Sequence, residues 1–397
     1  MPEMTPRQRV HAALAHQEPD RVPICVGGTG GKITESRMGL LKEHFGIIGD
    51  VEPVLVGPQL MRLDNRVLDV LGTDVRYIHM RPPTGFRSRE APGGGWYYDW
   101  GLIYREHPES KMYEYINQPL ADATIQDLDS FEWPDPYDPE RWAGVREEAR
   151  QLYEQTDYAL AAYRPVYNGL WEMCQTLRGT ERLFLDMALN PDFAVALFWK
   201  VGEVFKQFYL AQLDAVGEFV EWVEIGDDLG AQNAPLISVK MYRDLLKPVH
   251  ADVLKAIHDH PAGVKIMYHS CGAVRPFIPD FIDIGADILN PIQVAAKGIV
   301  PAEIKAEFGD ALCFLGGVDA QHTLPDGTPE QVASEVGLRI QEMGRGGGYI
   351  LAPSHNMGDD VPLENILAFF DAARRYGVYP LPEAAQSPNQ RIEADRQ

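Results

Sequence analysis

Two short segments of the chain carry side chains that can bind one metal ion together. In the first, residues 268–272 (YHSCG), a single residue separates a histidine from a cysteine. Side chains at positions i and i+2 of an extended chain point to the same face, so the His269 imidazole and the Cys271 sulfur can converge on one ion. A borderline-soft cation such as zinc accepts this pair of donors. The motif is short, and a buried histidine beside a core cysteine explains it equally well.

The second segment, residues 352–358 (APSHNMG), supplies a further donor, His355. Both segments follow stretches that are typical of β-strands, and the C-terminal ends of the strands of one barrel surround a common mouth. A catalytic zinc site needs three protein ligands and one open position. We therefore predict a zinc site formed by His269, Cys271 and His355.

Further polar side chains stand at the ends of predicted strands and are candidates for catalysis or substrate binding. The acidic ones are expected to complete the metal site, to support its ligands or to handle protons: Glu224, Asp227 and Asp228. The others are candidate substrate contacts: Arg164, Trp171, Gln293, Asp319 and Asn356. For any single residue of this set, solvation of a strand end or capping of a helix is at least as good an explanation.

An alternation of β-rich and helical segments must position these residues. After a first helix that begins at Pro6 behind the N-cap Thr5, eight β-rich runs recur: 21–28, 73–80, 158–165, 219–226, 264–269, 287–292, 313–318 and 348–352. Several are nearly continuous apolar runs, as is typical of parallel strands buried on both faces. The intervening segments have helical periodicity and suit crossover connections. Eight such units predict an α/β fold, the (β/α)₈ TIM barrel.

The chain is predicted to form one barrel domain over residues 1–380, with a disordered tail at 381–397. Residues 81–139 are dense in Pro, Gly, Trp and Tyr and predict a β-rich insertion after the second strand, near the barrel mouth. An insertion of this length is typical of a lid or binding surface, or it covers the barrel without a further role. Its aromatic side chains are candidates, with Trp171, for the wall of a flat-substrate site: Trp96, Tyr97, Tyr98 and Trp100.

Composition excludes several classes of function. Against 36 Lys and Arg stand 58 Asp and Glu, a net charge of −22, which repels nucleic acids and anionic membrane surfaces. The sequence contains no apolar run near the ~20 residues that span a bilayer, and its N-terminus is polar and unlike a signal peptide. A cytoplasmic protein is therefore expected. Outside the HxC motif, Cys25, Cys174 and Cys313 are isolated and are expected to be buried core residues.

Two glycine-rich segments do not fit nucleotide-binding motifs. Residues 27–32 (GGTGGK) lack the first glycine of the phosphate-binding loop and the Ser or Thr after its lysine, so a tight turn after the first strand is expected. Residues 346–348 (GGG) precede a strand instead of opening a helix, unlike a dinucleotide fingerprint. A dehydrogenase is therefore unsupported.

Long collinear stretches around these residues resemble the uroporphyrinogen decarboxylase superfamily. They are TPRQRVHAALAHQEPDRVP, EWVEIGDDLGAQNAPLISVKMYRDLLKP, YHSCGAVRPFIPDFIDIGADILNPIQ, LCFLGGVDAQHTL and ILAPSHNMGDDVPLENI. The resemblance covers most of the chain. It implies a (β/α)₈ barrel with its active site at the C-terminal mouth, in agreement with the strand count.

Within the superfamily, the chain is more similar to the corrinoid-dependent methyltransferases than to the true decarboxylases. The decarboxylases carry an arginine-bearing N-terminal motif that holds an acidic tetrapyrrole, and residues 22–28 (VPICVGG) contain no arginine. The methyltransferase branch has a zinc site with an HxC pair at strand five and a cysteine near strand eight. His269 and Cys271 match this pattern, whereas His355 stands at the third place. Since the decarboxylases also have a histidine near that point, His355 is either a zinc ligand or a substrate contact.

The resemblance implies a zinc-dependent methyl transfer between a small methylated substrate and a corrinoid (cobalamin) carried by a separate protein. The aromatic-rich insertion favours a methoxylated aromatic and hence O-demethylation. The corrinoid ligand loop DxHxxG is missing, because residues 319–322 (DAQH) have the wrong spacing, so a corrinoid protein is the expected partner. The alternatives are transfer from a methylcorrinoid to a thiol or pterin, a metal-free decarboxylase-like lyase that uses Asp227 or Asp228, and a non-catalytic paralogue that only binds a corrinoid protein. The family also makes a homodimer an expectation.

Overall fold

The computed structural model of the chain describes residues 3–29, 31–56, 59–87, 89–92, 94–107 and 113–381. The predicted disordered tail lies outside the described residues from position 382 onward. The division into one barrel domain and a tail stays a prediction. Among the described helices, none combines the length and the apolar character that a membrane span requires.

The described chain folds into sixteen α-helices and twelve strands, joined by short turns. The helices are Pro6–Leu14, Glu35–Phe45, Asn65–Leu71, Asp127–Ser130, Pro139–Trp142, Val145–Gln155, Leu170–Arg178, Thr180–Leu189, Pro191–Val216, Val239–Met241, Lys247–Asp259, Ile278–Asp283, Pro301–Phe308, Thr323–Asp326, Pro329–Met343 and Leu363–Tyr376. The strands are Val54–Val56, Gln59–Met61, Val75–Ile78, Trp96–Tyr97, Ile103–Glu106, Tyr113–Tyr115, Ala159–Ala162, Trp222–Gly226, Lys265–His269, Ile288–Asn290, Cys313–Val318 and Tyr349–Pro353. Asp99–Gly101 and Arg275–Phe277 form 3₁₀ turns, and Tyr242–Leu246 forms a π-helical turn.

Seven of the eight predicted barrel strands form one parallel sheet. Their spatial order is Val75–Ile78, Ala159–Ala162, Trp222–Gly226, Lys265–His269, Ile288–Asn290, Cys313–Val318 and Tyr349–Pro353. Sequential neighbours along the chain are thus neighbours in the sheet, with helices between them. This arrangement confirms the predicted (β/α)₈ TIM barrel.

The first predicted run, residues 21–28, lies between the two ends of this sheet and forms fewer hydrogen bonds than a regular strand. On one side, Leu351 N donates to Pro23 O at 2.8 Å and Cys25 N donates to Leu351 O at 2.9 Å. On the other side, Asp74 N donates to Ile24 O at 2.8 Å, while Ile24 N donates to the Asp74 side chain at 2.7 Å. Because Pro23 has no N–H and a carboxylate accepts the N–H of Ile24, the ladder stays short.

Local sequence explains where the crossover helices begin. Thr5 caps the first helix in a capping box with Gln8, and Thr328 caps Pro329–Met343 in the same way with Gln331. The apolar face of Pro329–Met343 packs in the larger apolar cluster. Val10 and Ala13 of the first helix instead join a second apolar cluster, which includes Trp222 and fills the barrel interior. The predicted core cysteines are all buried: Cys25, Cys174 and Cys313.

The predicted insertion contains a three-stranded antiparallel sheet, formed by Trp96–Tyr97, Ile103–Glu106 and Tyr113–Tyr115. Several of its aromatic residues pack inward instead of facing a ligand. Trp100 is 3% exposed and packs on Phe205 and Phe208 of a barrel helix. Tyr98 packs against Tyr104 and Tyr115 within the insertion. The excursion is confirmed, and its best-buried rings attach it to the barrel.

Candidate metal centre and active site

Three side chains at the carboxyl ends of neighbouring strands come together as a possible metal site, here called the metal cluster: Asp228, His269 and Cys271. One ligand atom from each lies within 4.8 Å of the others. His269 Nε2 is 3.4 Å from Cys271 Sγ and 3.6 Å from Asp228 Oδ1. The parallel register places Gly226 beside His269, and therefore Asp228 follows its strand at the height of the HxC motif.

Hydrogen bonds fix the orientation and the tautomer of His269. Its Nδ1 lies 2.6 Å from Asn290 Oδ1, and Asn290 Nδ2 donates to Leu315 O at 3.0 Å. Since the amide nitrogen of Asn290 is used by Leu315, the oxygen faces the histidine and accepts a proton from Nδ1. Burial lowers the pKa of His269 to about 4, so the ring is neutral at pH 7. Nε2 consequently offers a lone pair to a metal, an arrangement common for histidine ligands.

The loop that carries Cys271 is held by two hydrogen bonds from its backbone N–H groups to side chains and by a close backbone contact. Cys271 N donates to Asp228 Oδ1 at 2.8 Å, and Gly272 N donates to Gln293 Oε1 at 2.7 Å. Gly272 has a φ of +88°, and a Cβ there would lie 2.3 Å from Gly230 O. Burial raises the pKa of the Cys271 thiol well above its usual range, and the charges of Asp228 and Glu172 raise it further. A bound cation would reverse this preference and favour the thiolate.

The chemistry of the three donors fits zinc. Imidazole nitrogen, thiolate sulfur and carboxylate oxygen are all zinc ligands, and three protein donors leave one position open, as in catalytic sites. Asp228 also reaches solvent, with 38% of its side chain exposed, and it lines a cleft of about 450 Å³ beside the cluster. The cluster is therefore accessible to a small molecule.

His355, the third predicted ligand, lies outside this cluster. It stands on the exposed rim after the strand Tyr349–Pro353. Partial desolvation lowers its pKa, Asp228 opposes this effect, and the positive charges of Lys32 and Arg164 add to it. The ring thus faces the same mouth as the cluster without joining it, and Asp228 takes the third place among the described residues. Whether His355 contacts metal or substrate stays a prediction.

The adjacent carboxylates of Asp227 and Asp228 have different surroundings. Asp227 is 1% exposed and accepts hydrogen bonds from Trp171 N at 2.9 Å and Glu172 N at 3.0 Å. His250 Nε2 lies 2.7 Å from the same carboxylate. These contacts cap the helix Leu170–Arg178, whose N-cap Gly169 leaves room for a carboxylate that any Cβ there would displace. The described contacts of Asp227 are therefore those of a helix cap.

Glu224 points into the barrel interior. Its Oε2 accepts hydrogen bonds from Thr29 N at 3.0 Å and Thr29 Oγ1 at 2.7 Å, while its Oε1 is buried without a partner among the described residues. Burial raises the pKa of this carboxyl group. The interior position separates Glu224 from the metal cluster, and its predicted catalytic role stays untested.

Of the five predicted substrate contacts, four have side chains that contact other parts of the protein, and one remains a candidate at the mouth. Trp171 is fully buried and packs against Phe184, so its ring belongs to the core and is no wall for a substrate. Gln293 supports the HxC loop through Gly272, and Asp319 accepts hydrogen bonds from the backbone of its own turn. Asn356 accepts from the backbone N–H of Lys32 at 2.9 Å. Arg164 remains at the mouth, partly exposed.

Two residues at the mouth have no counterpart in the sequence predictions. Burial raises the pKa of Glu172 to about 7, and the charges of Asp228 and Asp227 add to the shift. Glu172 lines the same cleft as Asp228. In sequence it looks like the third residue of a helix that closes a capping box, and it does accept from Gly169 N at 2.6 Å. Only the tertiary structure brings it to the cleft.

The second missed residue is Lys32, the lysine of the glycine-rich turn. The turn itself forms as expected, with Gly27 N donating to Gly31 O at 2.9 Å. Ile33 then pairs with Met357, which directs the Lys32 side chain into the barrel. Lys32 is 6% exposed, and its Nζ donates to Tyr163 Oη at 2.8 Å.

Comparison with known proteins gives concordant matches. The profile of the family described as Uroporphyrinogen decarboxylase (URO-D) matches residues 109–376. A curated relative, the Methylated-thiol--coenzyme M methyltransferase of Methanosarcina mazei, is 26% identical over 146 residues, which cover 36% of this chain and only 35% of that protein.

A solved structure is also similar, the methyltransferase from Methanosarcina mazei. Its TM-score is 0.68 at 18% identity, over 94% of this chain and 99% of that chain. At this identity the comparison shows that the two proteins share a fold. The shared fold covers almost the whole length of both chains.

Proposed function

Because the chain belongs to the uroporphyrinogen decarboxylase (URO-D) family, we propose that it is a metal-dependent methyltransferase of that family. It would move a methyl group between a small methylated substrate and a corrinoid on a partner protein. Two proteins that match this chain are methyltransferases, which agrees with the branch that the sequence resembles.

One observation carries the proposal: the metal cluster combines nitrogen, sulfur and oxygen donors within 4.8 Å at the barrel mouth. Hydrogen bonds join the three residues, from Cys271 N to Asp228 Oδ1 and between Cys271 Sγ and His269 Nε2, so their donor atoms are held close together. The hydrogen bond from His269 Nδ1 to Asn290 Oδ1 supports the same conclusion, because it directs the lone pair of Nε2 toward a ligand bond with a metal.

A zinc ion held by His269, Cys271 and Asp228 would supply Lewis acidity at the atom that releases or receives the methyl group. His269 stays neutral and oriented, and the Asp228 carboxylate holds the backbone of Cys271 in place. Glu172, with a pKa raised to about 7, can hold or release a proton in the adjacent cleft at neutral pH.

For the methyl donor we retain the methoxylated aromatic of the sequence analysis, and hence O-demethylation. The support now comes from different rings. Tyr167 is exposed at the mouth, and Tyr115 lines the cleft beside Asp228 and Glu172. Flat rings stack readily on such side chains.

A second candidate is transfer to or from a thiol. It is favoured by the name of the curated relative, which acts on a methylated thiol and coenzyme M. A zinc site with an open position suits a thiolate as well as a leaving phenolate. The two candidates share the metal cluster and differ in the small molecule beside it.

The test begins with metal analysis of the purified protein. We expect about one zinc per chain. The zinc-loaded enzyme is then mixed with a reduced cobalt(I) corrinoid, free and bound to a corrinoid protein, together with methoxylated aromatics. The expected result is the absorbance change from cobalt(I) to methyl-cobalt. The reverse assay uses methylcorrinoid with a thiol.

Two cysteine variants form a test and its control. Cys271→Ala removes a donor and should abolish both zinc binding and methyl transfer, whereas Cys313→Ala, a buried cysteine far along the chain from the cluster, should retain both. A protein that has no affinity for zinc, or a zinc-loaded enzyme that transfers methyl groups in neither direction, would contradict the proposal.

A further inference from the structure

Lys32 is a buried cation without an acidic partner. Among the described residues no Asp or Glu lies within ion-pair distance of its Nζ. Its described contacts are the hydroxyl of Tyr163 at 2.8 Å and the faces of two rings, Tyr163 at 4.6 Å and Tyr167 at 5.7 Å. A charge that is 6% exposed and lacks a counterion is costly, and such costs are typical of binding sites.

Arg164 has the same property. It forms no ion pair with a described carboxylate, and its Nε is buried without a hydrogen-bond partner among the described residues. Its guanidinium lies 5.0 Å from the centre of the Tyr167 ring, the ring that Lys32 also approaches. Lys32 and Arg164, here called the cationic pair, therefore flank one exposed aromatic ring.

The overall composition makes this pairing unusual. The chain has 58 acidic and 36 basic residues, so carboxylates are in excess and most cations have a partner available. Two neighbouring cations without a carboxylate partner therefore indicate a site for an anion from outside the chain.

The acidic groups nearest to the cationic pair do not neutralise it. Glu172 forms no ion pair with Arg164 among the described residues and acts on the Arg164 charge only at longer range. Glu224 is held by Thr29, and burial raises the pKa of its carboxyl group. The Tyr163 hydroxyl accepts the hydrogen bond from Lys32, and, against the opposing effect of burial, the charges of Lys32 and Arg164 lower the pKa of this tyrosine. The pair therefore presents positive charge to the mouth.

The cationic pair and the metal cluster share the mouth. The positive charge of Arg164 reaches both His269 and Cys271, and both cations reach His355 on the rim. The pair and the cluster therefore lie within electrostatic range of each other.

We propose that the cationic pair binds an anionic group of the small substrate, so that the enzyme accepts methyl donors or acceptors that carry a carboxylate or sulfonate. Arg164 offers a planar set of donors suited to either group, and Lys32 offers a point charge already anchored by Tyr163. The identity of the bound molecule as the methyl donor or acceptor rests on the proposed function. The anion site itself rests on Lys32 and Arg164.

Calorimetric titration of the zinc-loaded protein tests the proposal with matched probes. The aromatic arm compares 3-methoxybenzoate with neutral 3-methoxybenzamide, and the thiol arm compares 2-mercaptoethanesulfonate with 2-mercaptoethanol. We expect the anion of at least one arm to bind about tenfold more tightly than its neutral counterpart. The arm that shows the preference identifies which source the anion comes from.

Variants assign the preference to the pair. Lys32→Met and Arg164→Met should each reduce the preference for the anion at least about threefold, and Lys32→Arg should restore most of it. The exposed Lys297 provides the control, since Lys297→Met removes a lysine elsewhere and should leave the preference unchanged. Thermal melting checks that each variant is folded, and if Lys32→Met does not fold, Arg164→Met and Lys32→Arg decide.

Equal affinity of the protein for the anionic and the neutral probe in both arms would overturn the anion site. A preference for the anionic probe that persists in folded Arg164→Met and Lys32→Met would also overturn it. These results are separate from those for the proposed function. A protein that prefers anions but does not transfer methyl groups retains the anion site and loses the methyltransferase proposal. The opposite outcome retains methyl transfer and removes the anion site.

Discussion

The metal cluster and the cationic pair lie at one barrel mouth but differ in how their residues are distributed along the chain. His269 and Cys271 belong to one five-residue motif, and Asp228 follows the neighbouring strand. Lys32 lies in the glycine-rich turn after the first predicted run. Arg164 follows the strand Ala159–Ala162, more than a hundred residues later in the chain. The motif is visible in a sequence because strand geometry fixes its convergence, whereas the pair exists only once the barrel has closed.

The difference also separates two kinds of chemistry. The metal cluster has donors for a soft cation and would act on the transferred group, whereas the cationic pair would hold the remainder of the molecule. The variants below are ordered from the largest expected effect to the smallest, and each asks whether the two halves are independent.

Cys271→Ala should have the largest effect. It removes the thiolate, the donor that a borderline-soft ion prefers, so the zinc content should fall from about one per chain to less than about a tenth. Mass spectrometric metal analysis provides the measurement. The fold should persist, and circular dichroism should remain unchanged. Retention of stoichiometric zinc would mean that the ligands lie elsewhere, for instance at His355.

Asp228→Asn and Asp227→Asn form a matched pair of neighbours. Asp228→Asn should weaken zinc binding roughly a hundredfold, because the site loses a charged donor, with little change in stability. Asp227→Asn should instead lower the free energy of unfolding by about 2 kcal/mol, since one of the two buried acceptor oxygens becomes an NH2 group and the charge beside His250 is lost, and zinc affinity should be kept. Competition with a zinc chelator and urea unfolding measure the two effects. If Asp227→Asn weakens zinc binding and Asp228→Asn lowers stability, Asp227 is the zinc ligand and Asp228 has the structural role.

Asn290→Ala should weaken zinc binding roughly tenfold. The variant removes the acceptor that holds His269 Nδ1, so the ring can rotate and change its tautomer. Asn365→Ala is the control, since Asn365 is also a buried amide that donates to backbone oxygens, at Leu324 and Gly327. Both variants should lose stability, and only the first should lose zinc affinity. Equal zinc affinities would remove Asn290 from the site.

Asn356→Ala should have the smallest effect, a loss of roughly threefold in the preference for anionic probes. Its side chain accepts from the backbone of Lys32 and thereby helps to place that lysine, a contribution of about 1 kcal/mol or less. Zinc affinity should be unchanged. If zinc affinity falls while the anion preference is kept, Asn356 acts on the metal cluster and the two halves are coupled.

Much of the architecture follows from local patterns. The continuous apolar runs predict seven strands that form, and the capping signals at Thr5 and Thr328 mark helix starts that also form. The first run forms only a short ladder because of Pro23, whose missing N–H is itself visible in the sequence. The resemblance to the URO-D superfamily is confirmed by the family match, and two proteins similar to this chain are methyltransferases.

The roles of individual polar residues are less accessible. Asp227 and Asp228 are indistinguishable in sequence, yet successive side chains at a strand end point in opposite directions, and only one of them faces the mouth. Trp171 looks like a substrate wall and is part of the core. Glu172 looks like a capping residue and also lines the cleft.

The sequence by itself determined the barrel and the convergence of His269 with Cys271, because both depend on periodicities of one strand or one helix. Only the tertiary structure decided that Asp228 completes the group and that Lys32 and Arg164 flank the same ring. Those contacts join residues from separate strand ends. Their distances are set by how the closed sheet aligns its strands, a property that no short stretch of the chain contains.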